Sequence, residues 1–159
     1  MTDNMRNVIG VCGHHNSGKT TLIVEIIKEM KKEGYTVVTV KNIPRTFSID
    51  TEGKDTSQHA DAGAVAVVAS SANETAIILK EQMELKKIVE ILNEIAKPDL
   101  IIVEGKKDEK QIPKIAIGDI EADAEFRYDG NFTELIRWIR SFLVSSGRSS
   151  LSGEQAQKD

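Results

Sequence analysis

The stretch Gly13-His14-His15-Asn16-Ser17-Gly18-Lys19-Thr20 constrains this chain more than any other, because it stands directly between an apolar run and an amphipathic pattern. Val8-Ile9-Gly10-Val11-Cys12 leads into it as a nearly unbroken apolar segment, as expected of a strand covered on both faces in a parallel sheet. After Thr20, the residues Leu22, Ile23, Ile26, Ile27 and Met30 recur at helical spacing, and Lys28, Lys31 and Lys32 load the closing turns before Gly34. A strand, a turn bracketed by glycines and a helix in immediate succession form a phosphate cradle, in which backbone N–H groups turn inward toward anionic oxygens.

Each position in the cradle has its own chemical reason. Gly13 and Gly18 permit the tight backbone path. Lys19 reaches the β- and γ-phosphates and is the candidate catalytic group through charge stabilisation. The Thr20 hydroxyl ligates Mg²⁺, and the helix that begins there aims its positive dipole end at the phosphates. Thr21 follows in the first turn, beside the α-phosphate, while His14, His15, Asn16 and Ser17 complete the nucleotide-binding loop. Two adjacent histidines suggest a metal site, but no Cys or carboxylate cluster joins them at ligand spacing, and they read better as variable loop positions. The expected ligands are a nucleoside triphosphate and Mg²⁺.

Such a site also needs an acidic residue near the metal, at the end of a neighbouring apolar strand. Asp99-Leu100-Ile101-Ile102-Val103-Glu104 offers two candidates, roughly 16 Å apart in an extended strand. Ligands collect at the carboxyl ends of parallel strands, so Glu104 is the expected Mg²⁺-linked residue and Asp99 belongs to the start of the strand. Cys12 closes the first strand with no evident base beside it, and reads as a small buried residue rather than a nucleophile.

Thr36-Val37-Val38-Thr39-Val40 is a β-branched second strand. Residues 42 to 62 read as a long loop, ending in a short helix that Asp55 is placed to cap. Val65–Ala69 and Ala76–Leu79, separated by the turn signal Ser70-Ser71-Ala72-Asn73, are placed to pair as a hairpin. Leu85, Ile88, Val89, Ile91, Leu92 and Ile95 mark a further helix, Leu100–Val103 and Ile115–Ile117 two further strands, and Leu135, Ile136, Ile139, Phe142 and Leu143 a final helix. The pattern predicts an α/β fold of P-loop NTPase type: an open, mostly parallel sheet flanked by helices, with a small hairpin insertion. It predicts one nucleotide-binding domain over residues 1–144 and a disordered tail over 145–159, where Ser, Gly and Gln replace apolar periodicity.

The formal net charge of -4 argues against nucleic acid or an anionic membrane as partner. A single cysteine allows no internal disulfide, the first six residues lack the apolar stretch of a signal peptide, and no apolar run approaches the roughly 20 residues of a membrane span. The cytoplasm is the expected location. Two charged segments stay open between readings. Asp50, Lys54 and Asp55 either order around a γ-phosphate and Mg²⁺ or form a solvated loop. Lys106, Lys107, Lys110 and Lys114 either bind a phosphate or an acidic partner or, with Asp108 and Glu109, form a solvated loop.

The P-loop, Val40-Lys41, Ile49-Asp50, Gly53-Lys54-Asp55, His59, Ala62-Gly63-Ala64, Asp99–Gly105 and Ile112-Pro113-Lys114-Ile115 occur in an order that resembles the MobB family of molybdopterin-guanine dinucleotide biosynthesis adapter proteins. The likeness runs from about Val8 to about Ile117. It implies a GTP-binding homodimer with weak GTPase activity that assists a molybdopterin guanylyltransferase in joining GMP to molybdopterin. It further implies that Asp50, Lys54, Asp55 and His59 belong to a loop facing the nucleotide or the partner, and that Glu104 lies near Mg²⁺. The chain departs from the family pattern at Asn16, where a glycine is usual, at Asn42-Ile43-Pro44-Arg45 in place of a histidine-rich run, and at Lys106 in place of an aromatic.

Two other classes share the scaffold. A small-molecule kinase calls for cationic groups on a lid, and Arg45, Arg127, Arg137 and Arg140 form no recognisable one. A regulatory GTPase calls for a guanine-reading Asn-Lys-x-Asp motif, which the chain lacks, so a preference for GTP rests on the resemblance.

Overall fold

The computed structural model of the chain describes residues 5–147. Along them run β1 (Val8–Gly13), α1 (Lys19–Lys32), β2 (Val37–Lys41), α2 (Asp55–Asp61), β3 (Ala66–Ser70), β4 (Thr75–Leu79), α3 (Leu85–Ile95), β5 (Leu100–Glu104), β6 (Lys114–Ile117), β7 (Phe126–Tyr128) and α4 (Phe132–Ser145). They fall into two compact units, one built from residues up to Asn42 and from Lys86 onward, the other from Ile43–Leu85.

The first unit holds a five-stranded sheet in the order β2-β5-β1-β6-β7, with every pairing parallel. Register places Val11 opposite Glu104 on one side of β1 and Gly13 opposite Ile117 on the other, while Lys41 of β2 stands opposite Glu104. The carboxyl ends of β1, β2, β5 and β6 therefore gather at one edge. The expected strands are present, and β7 joins them; only three residues long with Arg127 at its centre, it gives no alternation to read.

Strand alternation divides the sheet's two faces. Ile9, Val11, Leu100, Ile102 and Ile115 pack with Leu22, Ile23, Ile26 and Met30 of α1 and with Leu135, Ile136, Ile139 and Leu143 of α4. On the opposite face Cys12 and Ala116 are covered by Ile120, with Ala122 and Ala124 against them. Helix α1 starts from Gly18 at φ 85° and ends before Gly34, also at φ 85°, a conformation that only glycine adopts without cost. Helix α4 is capped by Asn131, whose side chain accepts from the Glu134 N–H at 3.1 Å. Arg140 of α4 binds Glu33, just past α1, through Nε at 3.0 Å and Nη2 at 2.5 Å. Both groups are partly exposed, so the pair aligns two helix ends more than it adds stability.

A buried amide ties the start of β1 to the α3–β5 connection. Asn7 is 4% exposed, and its Nδ2 donates to Asn93 Oδ1 at 3.0 Å and to the Pro98 carbonyl at 2.9 Å.

In the second unit β3 and β4 form an antiparallel hairpin, Val67 opposite Ile78 and Val68 opposite Ile77, as the turn signal predicts. Val67 is buried, whereas Val68 and Ile77 are 60% and 59% exposed and share one face with Leu79. The short helix is present, but Asp55 is its first residue rather than its cap. Lys54 takes the cap position in extended conformation without a side-chain bond, and the Asp55 carboxylate sits in the first turn, where it complements the helix dipole. At the other end of the chain α4 runs through Ser145, and residues 148–159 of the expected tail lie outside the described residues.

Asn7→Ala removes both buried bonds and strands the Pro98 carbonyl, at a cost of about 1–3 kcal/mol. Urea denaturation should show a lower midpoint with an unchanged slope.

Candidate functional site

The loop after β1 is shaped by three backbone constraints. A Cβ at Gly13 would lie 2.5 Å from Ser17 Oγ and 3.1 Å from the Ile117 carbonyl, so no larger residue fits there without moving the loop or β6. Asn16 stands at φ 59°, in the left-handed region that asparagine tolerates better than most residues. Gly18 completes the turn at φ 85° and hands the chain to α1. With no acidic residue in its first turn and no side-chain cap, the start of α1 keeps its free N–H groups and dipole for an anion.

Lys19 folds its ammonium over the loop, donating to the Gly13 carbonyl at 3.0 Å and to the His14 carbonyl. Thr20 Oγ1 donates to Glu104 Oε1 at 3.4 Å, and the same carboxylate oxygen lies 3.5 Å from Lys41 Nζ. Glu104 is only 17% exposed at its side chain, so strand register alone brings a half-buried carboxylate to the first residue pair of α1. Asp99, at the other end of β5, accepts from Thr36 N at 2.8 Å and Thr36 Oγ1 at 2.7 Å, a role at the start of the strand. Ser17 Oγ is buried without a hydrogen-bond partner. His14 is exposed, with Nε2 3.4 Å from the Asp119 carbonyl, and His15 and Thr21 are exposed as well.

A triphosphate and Mg²⁺ fit these residues. The glycine cradle, the unpartnered Ser17 hydroxyl and the start of α1 supply donors to phosphate, and Thr20 with Glu104 supplies hard oxygen ligands. No three His, Cys, Asp or Glu residues converge as a metal cage among the described residues, and Mg²⁺, which keeps waters and phosphate oxygens, needs none.

Asp50, Lys54, Asp55 and His59 belong to the second unit. Asp50 Oδ1 accepts from Thr51 N at 3.0 Å and Thr56 Oγ1 at 2.8 Å, while Oδ2 is buried without a partner. Lys54, Asp55 and His59 are exposed at the cap, first turn and last turn of α2. The structure thus brings Gly13–Thr21 and Glu104 together in one unit and gathers the other four residues around α2.

The family model described as "Molybdopterin guanine dinucleotide synthesis protein B" matches residues 8–138. The chain belongs to the MobB family. A protein of Methanocaldococcus jannaschii is 34% identical over 113 residues, 69% of this chain and 46% of that protein. The molybdopterin-guanine dinucleotide biosynthesis adapter protein of Haemophilus influenzae is 30% identical over 117 residues, 72% of this chain and 65% of its own. The chain thus spans about half of the archaeal relative's length and about two thirds of the Haemophilus protein's. The crystal structure of Bacillus subtilis MobB matches at TM-score 0.68 and 20% identity, over 86% of this chain and 97% of that one, and establishes the shared fold.

Within this MobB chain two neighbours of the site take their meaning from strand pairing. Lys41 becomes relevant only because β2 pairs with β5, and Asp119 only because β6 runs beside β1. Asp119 lies in no local pattern, and Lys41 enters the sequence reading only through the Val40-Lys41 pair of the family likeness.

Cys12 is buried, with Sγ donating to the Ile115 carbonyl at 3.6 Å. Burial raises its thiol above the ordinary value of 9.0, and the charges of Lys114, Arg127 and Lys19 only partly oppose this. Its stabilising contribution is therefore complete below that ordinary value and is lost as pH rises through the higher folded value. Iodoacetamide at neutral pH should label the folded chain at least about tenfold more slowly than the unfolded one. Cys12→Ala should remove the alkaline loss of stability attributable to the thiol.

Proposed function

We propose that this chain is a GTP- and Mg²⁺-binding adapter that assists a molybdopterin guanylyltransferase in attaching GMP to molybdopterin, in the cytoplasm and as a homodimer. The observation that carries the reading is the loop Gly13–Thr20 at the carboxyl end of β1 with Glu104 against Thr20, in a chain of the MobB family. The adapter designation of the Haemophilus relative supports the role, and the exposed apolar pair Val68 and Ile77 on the hairpin supports self-association.

In this reading the start of α1 and the loop N–H groups bind phosphate, and Ser17 gains the partner its hydroxyl lacks. Lys19 leaves the carbonyls of Gly13 and His14 for phosphate oxygens, exchanging neutral acceptors for charged ones. Thr20 and Glu104 hold Mg²⁺, with Lys41 balancing the carboxylate. Mg²⁺, when bound, supplies charge neutralisation across the β- and γ-phosphates. Asp50, Lys54, Asp55 and His59 contribute to the segment that responds to the nucleotide or to the partner.

Hydrolysis by the chain alone is slow in this reading, with charge stabilisation by Lys19 as its assigned catalytic contribution. One of the arginines that a kinase lid would need is already engaged, Arg140 with the Glu33 carboxylate.

Lys19→Ala should weaken GTP binding by about 100-fold or more while leaving the circular dichroism spectrum unchanged, two charge-assisted bonds being at stake. Equal affinity for ATP and GTP in the same titration would remove the guanine assignment. Pull-down of the guanylyltransferase with and without GTP, followed by assay of dinucleotide formation, tests the adapter role; neither contact nor stimulation would refute it.

A further inference from the structure

A second concave site lies within the first unit, on the sheet face opposite α1 and α4. It is a cavity of about 440 Å³ whose walls include Lys107, Lys110, Lys114 and Arg127. Its size falls within the range of about 300–1,000 Å³ common for small-molecule sites.

Lys114 decides what the cavity is for. It is 3% exposed, and its ammonium donates to one backbone carbonyl, that of Glu109. No carboxylate pairs with that ammonium among the described residues. The nearby Glu125 is instead engaged by the Lys114 backbone N–H at 2.6 Å. A buried ammonium with one neutral acceptor is costly, since burial of a charge demands pairing. The fold nonetheless makes room for it. Gly10, in the middle of β1, is where a Cβ would meet Lys114 Cγ at 3.0 Å, so a strand glycine is kept where the lysine stem crosses. Arg127 is held in place by the carbonyls of Ile120 at 3.3 Å and Ala122 at 3.0 Å, which leaves part of its fork of donors for a ligand. The acidic groups of the lining, Asp108, Glu121 and Asp123, are all exposed.

We infer that this cavity binds the phosphate of a small phosphate monoester, with Lys114 as its inner cation and the exposed Arg127, Lys107 and Lys110 around its rim. A compact dianion supplies the missing partner for the buried ammonium and matches the planar donors of arginine. The exposed carboxylates suit N–H or O–H donors on the body of such a ligand, and disfavour a long acidic peptide. None of the cavity's lining residues belongs to the loop after β1. In the parallel ladder Lys114 stands opposite Gly10, three residues or roughly 10 Å short of Gly13.

The nucleotide loop also binds phosphate, so the test uses the full chain carrying Lys19→Ala. Calorimetric titration with phenyl phosphate and inorganic phosphate should show binding to this variant. Adding Lys114→Met should weaken it by about tenfold or more, the loss expected of one charge-assisted bond. The exposed pair Lys107→Gln and Lys110→Gln should weaken it severalfold and reduce its salt dependence, and this pair decides the matter if Lys114→Met does not fold. Absence of binding to Lys19→Ala, unchanged affinity in folded Lys114→Met, or tighter binding of a polyglutamate peptide at the same residues would each overturn the inference. Failure of GTP binding by the unmodified chain would count against the adapter reading alone.

Discussion

β1 is paired in parallel on both sides, by β5 and by β6, and Val8, Ile9 and Val11 are fully buried. Everything chemical in the first unit is placed by that double pairing. The strand's carboxyl end delivers Gly13 to a position where Ile117 of β6 limits its size, and the register with β5 sets Glu104 beside Val11, one step from the loop. Because β2 pairs with β5 and not with β1, Lys41 arrives at the same level on the far side of Glu104. A carboxylate, a cation and a threonine hydroxyl thus meet at one sheet edge without any loop having to search for them.

The same strand contains two glycines with unrelated duties. Gly13 has no positive φ; it is glycine because Ser17 Oγ and a carbonyl stand where a Cβ would go. Gly10 is glycine because a lysine stem crosses it. Each weakens the strand as a strand, since an interior glycine adds no packing and loses more entropy on folding. The burial of Ile101, Ile102 and Val103 on one side and of Ile115 and Ala116 on the other compensates, which lets β1 keep glycine at the two positions where Ser17 and Lys114 approach.

Features that depend on near neighbours in the chain are legible in the sequence itself. The loop between β1 and α1, the amphipathic faces of α1 and α4, the hairpin β3–β4 and the placement of Glu104, rather than Asp99, beside that loop all follow from local periodicity and the polarity of parallel strands. Features set by pairing between distant segments are not. The Val40-Lys41 pair belongs to the family likeness, but what Lys41 faces emerges only when β2 is seated against β5, and β7 is too short to carry a pattern. Lys114 reads as one of four lysines that either bind a phosphate or an acidic partner or belong to a solvated loop, and it is buried where its stem crosses Gly10 while Lys107 and Lys110 stay exposed. The start of α2 differs from expectation by one residue because an aspartate suits both the cap and the first turn, and residue type alone does not separate the two places for Asp55.

Asn16 shows how a departure from a family pattern can be reconciled physically. A glycine at that position supplies a left-handed backbone at no steric cost, and here the backbone is left-handed at φ 59° with asparagine in place. Asparagine is among the few side chains that adopt this conformation readily, so the loop keeps its path and gains one polar group. The consequence for function is one of balance. In the proposed function phosphate is held through backbone geometry, a lysine and the start of a helix, groups that contact it before as well as after any bond is broken. Binding energy that is uniform along a reaction stabilises a complex and does not accelerate bond breaking. A site built in this way suits the proposed adapter, whose task is to hold a nucleotide for another enzyme.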